Sequence, residues 1–333
     1  MFVAKRPTLL AAPDPNPDDD HFINPPTATS AANTGHNGQR AGEPAPEGLS
    51  VWVTAQSTGP VQRRGRYLPD SGKHPARMLP AIAAHAITAY TQPGDLVLDP
   101  MCGIGTTLVE AVHAGRDAVG VEYESTWSDI ADANVAHAHT QGASGRASVV
   151  RGDATRITSL LPAALQGQIA LVVTSPPYGP TVHGLVRPEA GAGVHKSDNT
   201  YNDGDKGNLA YRDLPGLAEG FTQILAGCAQ LLKPGGIVVV TARPWRKRGE
   251  LVDLPSAVIG AGIAAGLVPL ERCVALLAAV RRGRLVARPS FFQLAAVRKA
   301  RAAGVPMHLI AHEDVIVLAR PPLPQPAGEG QAR

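Results

Sequence analysis

Two short stretches of the sequence hold residue types whose order suggests chemistry. At 174–179 the chain reads T-S-P-P-Y-G, directly after the apolar run I-A-L-V-V. Proline donates no backbone hydrogen bond, fixes its own φ and restricts the residue before it, so Pro176 and Pro177 end a strand on a rigid, donor-free corner. Ser175 puts a hydroxyl on one side of that corner and Tyr178 a phenol ring on the other. Upstream, L-V-L-D-P-M-C-G-I-G-T-T at 96–107 reads as a strand, a glycine-bearing turn and a helix start. Gly103 and Gly105 permit backbone conformations and close approaches that side chains would block, and the helix opening at Thr106 and Thr107 presents free N–H groups. Asp99 and Pro100 lead into the turn. Glu122 closes the next apolar run, where a carboxylate can grip ribose hydroxyls, and Asp153 in R-G-D follows the third, within reach of an adenine amino group. The third glycine of G-x-G-x-x-G is absent, so on spacing alone the turn suits either a nucleotide-like ligand or a tight strand-to-helix corner.

These residues require a scaffold that brings distant strand ends together. Short apolar runs alternate with helical patterns: strands are expected at 96–98, 118–121, 148–150, 170–173, 237–240, 273–279 and 314–319. Helices are expected at 78–89, 106–114, 126–139, 217–232 and 254–265, with K-P-G-G at 233–236 as a stop. This alternation predicts an α/β protein with a doubly wound, mostly parallel, seven-stranded sheet covered on both faces. Ligands of such sheets lie at the carboxyl ends of the strands, near the switch point. Residues 1–48 and 321–333, rich in Pro and Gly, are expected to be disordered tails around a domain at 49–320.

Composition narrows the classes. The three cysteines have no metal-ligand spacing and are too few for a disulfide framework, and the eleven histidines form no metal site. No apolar run reaches membrane-spanning length and no leader pattern appears, so a soluble, cytoplasmic protein without membrane contact is expected. The net charge is only +3, but residues 1–50 hold six acids and three bases, leaving +6 for the remainder. Basic clusters recur there, at Arg63-Arg64-Gly-Arg66, Arg243 to Arg248, Arg281 to Arg284 and Arg298 to Arg301. Such clusters suit either a phosphate-binding face or solvated surface.

Taken together, D-P-M-C-G-I-G-T-T at 99–107 and T-S-P-P-Y at 174–178 resemble the paired motifs of the amino-methyltransferases that act on DNA. Lys73-His-Pro75 and the helix after it are similar to the segment preceding their cofactor loop. Met101 stands where an aromatic is usual, the cofactor half comes first, and no large separate target-recognition domain is visible. The resemblance implies the class I S-adenosylmethionine-dependent methyltransferase fold. It implies S-adenosylmethionine bound by Asp99, Pro100, Gly103, Gly105, Thr106, Thr107, Glu122 and Asp153. Ser175, Pro176, Pro177 and Tyr178 would be catalytic, acting on N4 of cytosine or N6 of adenine. The partner is then nucleic acid, DNA in preference to RNA, and the segments at 180–212 and 281–312 are the available substrate-recognition elements. Within the latter, Phe291-Phe292 suit core packing or a base pocket; His183, His195 and Tyr201 suit substrate contact or solvent. An RNA base methyltransferase such as a transfer-RNA guanine-N2 enzyme, a non-catalytic nucleic-acid scaffold and, distantly, a nicotinamide dehydrogenase are the competing classes.

Overall fold

The computed structural model describes residues 48–177, 186–189, 193–196, 208–247, 250–289 and 291–322. The expected tails lie outside the described residues, apart from Gly48, Pro321 and Pro322, as do Tyr178, His183, Tyr201 and most of 180–212.

In chain order the strands are β1 (Val51–Trp52), β2 (Leu96–Asp99), β3 (Asp117–Glu122), β4 (Ala147–Arg151), β5 (Ile169–Thr174), β6 (Val186–Glu189), β7 (Gly193–Lys196), β8 (Leu232–Ala242), β9 (Trp245–Lys247), β10 (Glu250–Val252), β11 (Val268–Leu276), β12 (Ala278–Arg281), β13 (Arg284–Ala287) and β14 (His312–Ala319). The helices are α1 (Gly59–Arg63), α2 (Pro80–Tyr90), α3 (Thr106–His113), α4 (Ser125–Thr140), α5 (Ile157–Leu160), α6 (Leu214–Leu231), α7 (Leu254–Ala264) and α8 (Phe291–Ala302).

One sheet of eight strands, in the order β1-β11-β14-β8-β5-β2-β3-β4, organises the molecule. Its members run parallel except β14, which is antiparallel to both β8 and β11. The expected count of seven is therefore corrected to eight, because Val51 and Trp52 pair in parallel with Val274 and Ala275. A two-residue edge strand is too short to leave a periodic signal.

Strand alternation sends successive side chains to opposite faces. Leu98, Val172, Val238 and Val240 meet Phe221, Ile224 and Leu225 of α6 and Val258 of α7. Val97, Leu171, Val173 and Val239 meet Ile82, Ala86 and Ile87 of α2 and Leu108 of α3. With helices on both faces every residue of β5 is buried, which explains its unbroken apolar run. α6 ends at Leu231, as K-P-G-G demands, but the strand starts at Leu232 and carries Gly235 at φ +74° within it.

Two further readings are revised. The strand expected at 273–279 is divided at Leu277: β11 stops at Leu276, and a separate β12–β13 hairpin follows. The region after it holds α8, a helix not expected from the sequence, which Phe291 and Phe292 open between β13 and β14.

The order of strands reverses between β2 and β5. From β2 the chain winds outward through β3 and β4; from β5 it winds the other way through β8. That neighbouring pair forms the switch point, and both carboxyl ends open on the same edge.

Candidate active site

The turn after β2 is held shut by its own aspartate. Asp99 is buried at 4% exposure. Its Oδ2 accepts the Thr107 hydroxyl at 2.7 Å and its Oδ1 the Met101 N–H at 3.1 Å. Burial raises its pKa to about 6, with the Thr107 hydroxyl, the Met101 N–H and the neighbouring Thr174 hydroxyl pulling the other way. Asp99 and Thr107 thus brace each other, and Thr106 is nearly as buried. Pro100 lines the cleft beside them.

Gly103 and Gly105 both sit at positive φ, +52° and +78°. A Cβ on Gly103 would lie 3.1 Å from His74 Nε2, and one on Gly105 would lie 3.2 Å from the Cβ of Ala131 on α4. Both positions thus combine a left-handed backbone with a close neighbour.

Glu122 reaches from the end of β3 to this turn. Its Oε2 accepts the Gly103 N–H at 2.7 Å, and its Oε1 accepts the Glu124 N–H at 2.9 Å. Burial raises its pKa to about 7; the two N–H groups oppose the shift, while Glu124 and Asp99 add to it. Each oxygen retains acceptor capacity for a hydroxyl donor. Asp153 follows β4 and caps a turn at Ala154–Arg156, its Oδ1 accepting the Thr155 N–H at 3.0 Å and hydroxyl at 2.8 Å.

Ser175, Pro176 and Pro177 follow β5, and Pro176 is buried. They line the same cleft as Gly103, Glu122 and Asp153, a space of ≈ 1580 Å³. The structure therefore brings every described member of the expected site to one cleft or its immediate support. Both signs of charge line it: Asp99, Glu122, Glu124 and Asp153 follow the strand ends around the glycine turn, and Arg63, Arg64, Arg77, Arg243, Arg246 and Arg288 also line the wall, with Asp213 and Glu313 among them.

Several supporting residues have little sequence signal. Asn134, wholly buried on α4, donates to the Ser71 hydroxyl and the Ile104 carbonyl, both at 2.9 Å, and accepts the Leu68 N–H at 2.9 Å. It ties α4, the glycine turn and the segment before α2 into one joint. His74 packs edge-on against Trp127 at 4.6 Å, and its Nδ1 accepts the Ala76 N–H at 3.2 Å. Burial first, then Arg77, lowers its pKa to about 3, so it is neutral. Its only signal is its place in Lys73-His-Pro75. Arg66 leaves the surface cluster to which its neighbours suggested it belonged: it grips both oxygens of Glu110 at 2.8 and 2.6 Å, and Tyr67 donates to the same carboxylate at 2.6 Å.

A reversed final strand inserted between two parallel ones, with ligand-suited turns after the central pair, defines the class I S-adenosylmethionine-dependent methyltransferase fold. A family model described as DNA methylase matches residues 10–133. The DNA adenine methyltransferase YhdJ of Escherichia coli (strain K12) is 40% identical over 65 residues, 19% of this chain and 22% of that protein. The type II methyltransferase M.MthZI of Methanothermobacter thermautotrophicus is 37% identical over 54 residues, 16% of this chain and 15% of that one. The chain thus matches less than a quarter of either relative's length. Among solved structures, TrmN from Thermus thermophilus aligns at a TM-score of 0.44 and 17% identity, over 78% of this chain and 53% of that one. A geranyl diphosphate methyltransferase in complex with GPP and sinefungin aligns at 0.43 and 14%, over 73% and 80%.

Proposed function

We propose that the chain transfers a methyl group from S-adenosylmethionine to an exocyclic amino group of a DNA base, N4 of cytosine or N6 of adenine. One observation carries this reading: the Ser175-Pro176-Pro177 corner and the Gly103–Glu122 turn share one cleft at the switch point.

The residues present fit the cofactor. Glu122 keeps acceptor capacity toward the cleft for ribose hydroxyls. Gly103 has no side chain to block close approach, and the acidic groups on this side suit a ligand carrying a sulfonium and an ammonium. Asp153 holds Thr155 through Oδ1, leaving Oδ2 to face an adenine amino group. When bound, the cofactor supplies an electrophilic methyl group.

The protein's task is then to make a poor nucleophile competent. The lone pair of an exocyclic amino group is delocalised into the base. Acceptors placed at its hydrogens favour a tetrahedral nitrogen and disperse the positive charge that grows on it, an effect strongest where the acceptors are already fixed. Ser175 Oγ and the Pro176 carbonyl are those acceptors. The prolines hold them still and add no competing donor. Tyr178 supplies a stacking face for the base once it has left the duplex.

Incubation with labelled cofactor and separate DNA and RNA pools, followed by nucleoside analysis, tests the reading. Label in N4-methylcytosine or N6-methyladenine supports it. Label confined to RNA moves the substrate to that polymer. No transfer despite tight cofactor binding leaves a non-catalytic scaffold.

A further inference from the structure

From Arg272 to His312 the chain has no aspartate or glutamate, yet it carries eight arginines and lysines. Arg272 is neutralised by Asp314 at 2.9 Å. The others are concentrated on the β12–β13 hairpin and in the second half of α8, where Lys299 and Arg301 stand in the last turn. Among the described residues none of Arg281, Arg282, Arg284 and Arg288 has a carboxylate partner.

The hairpin breaks local rules in a consistent direction. Its two-residue turn is Arg282-Gly283, with φ +48° and +72°, the positive pair of a type I′ turn. Asparagine, aspartate or glycine is favoured at the first of these positions, whereas this chain has arginine. Arg281 pairs directly across from Arg284, placing like charges opposite each other. Every residue from Arg281 to Arg288 is exposed, and Val280, Leu285 and Val286 are exposed beside them. Ala278 and Ala279 at its root are buried, but from Val280 outward neither face of the ribbon is packed, and the arginines make that outer part less stable still. Among the described residues no carboxylate offsets that charge; Arg281 and Arg288 meet only neutral oxygens of Gln56 and the backbone.

Its position supplies the reason. β11 runs parallel to β8 and β5 through the intervening antiparallel β14, so its carboxyl end lies on the same edge as the glycine turn and the proline corner. The ribbon follows that end after Leu277 alone. Arg281, next to the turn, and Arg288, at the base, both donate to the Gln56 carbonyl, at 2.7 and 3.2 Å, and Arg288 lines the cleft. The ribbon therefore projects from the rim of the site with a cationic tip.

We infer that the β12–β13 ribbon grips the DNA duplex, entering its major groove with the Arg281–Arg284 turn leading and holding the site over its target. The inference rests on DNA being the substrate, as proposed above. A two-stranded ribbon fits the B-form major groove, whereas the deep, narrow major groove of duplex RNA excludes it. The exposed apolar side chains meet thymine methyl groups, and a polyanion relieves the cross-strand repulsion that the free ribbon carries.

The test uses the full chain and a variant combining Arg282→Gly with Arg284→Thr. Glycine suits the type I′ turn and threonine the strand better than arginine does, so misfolding cannot account for lost binding. Binding of a duplex DNA and a duplex RNA of the same sequence is followed by anisotropy against salt. The expected result is a log–log salt slope shallower by about 1.8 in the variant and DNA affinity at least about tenfold weaker at ~0.1 M salt, two phosphate neutralisations having been lost. Cofactor affinity by calorimetry should be unchanged, and Arg282→Lys with Arg284→Lys should restore most of the slope. An unchanged slope, or wild-type binding of duplex RNA as tight as that of DNA, overturns the inference. The two proposals fail separately. Ribbon-dependent DNA binding without base methylation removes the proposed activity and keeps the ribbon's role. DNA methylation with unchanged KM in the variant keeps the activity and removes the ribbon.

Discussion

Glu122 holds the glycine turn through the Gly103 N–H while it faces the cleft, so its replacement has two consequences. Glu122→Ala should weaken S-adenosylmethionine binding by about 1.5–3 kcal/mol, roughly 10–150-fold, the cost of losing a charge-assisted hydrogen bond. Calorimetric titration measures this, and unchanged affinity would remove Glu122 from the cofactor site. In the proposed reaction Ser175 serves the other half of the chemistry. Because its acceptor matters as charge develops, Ser175→Ala should slow single-turnover methyl transfer while cofactor affinity stays near wild type. A wild-type rate would end its assigned role. For Tyr178 the two substitutions should diverge: Tyr178→Phe keeps the stacking face and most activity, while Tyr178→Ala loses roughly 1–3 kcal/mol of base binding. Equal damage from both would shift importance to the phenol oxygen.

At the scale of elements, the joint at Asn134 connects α4, the glycine turn and the segment before α2 through one buried amide. Asn134→Ala strands the Leu68 N–H and the Ile104 carbonyl, and should cost about 2–4 kcal/mol on the usual penalty for buried unpaired groups. Chemical denaturation measures that loss. Cofactor affinity should fall with it, because the turn loses its backing. How legible these elements were depends on how local their signals are. β2, β3, β5 and α3 were clear because an apolar run, a glycine pair and a helix pattern sit within a dozen residues. The proline corner was clear for the same reason. Asn134 was not, since its partners lie 30 to 66 residues away and an asparagine in a helix carries no mark of what it reaches. β1 was hidden by its two-residue length. The break at Leu277 was hidden because C-V-A-L-L-A-A-V is equally apolar on both sides of it. α8 was obscured by its mixture of aromatic, small and basic residues.

The whole molecule's stability should register the two buried carboxyls of the site. Asp99 and Glu122 have folded pKa values of about 6 and about 7, above their ordinary values of 3.8 and 4.5. The folded state therefore holds protons that the unfolded chain releases, and these groups favour folding fully only below their unfolded values. That contribution is lost as pH rises from about 4 through 7. The cofactor-free protein should thus lose thermal stability over this window relative to Glu122→Gln, whose amide cannot ionise. Melting curves of the two proteins at successive pH values test this, and parallel profiles would show that the Glu122 carboxyl is not shifted upward.

The placement of β14 has a consequence for how the protein is made. In the finished sheet β14 lies between β8 and β11 and hydrogen-bonds to both, yet it follows both in the chain. During translation β8 emerges with the edge from Ile237 to Ala242 open, and its partner β14 is synthesised only after the whole of α7, β11, the basic ribbon and α8. At ribosomal rates of ~5–20 residues per second, that interval is roughly 4–14 seconds. Through that time the nascent chain exposes a largely apolar strand edge, a template for pairing with other chains. Until β14 arrives, β11 and the ribbon at its end have no sheet to join. The half of the molecule that would hold the cofactor can therefore assemble on the ribosome, while the half that would hold DNA waits for the last strand.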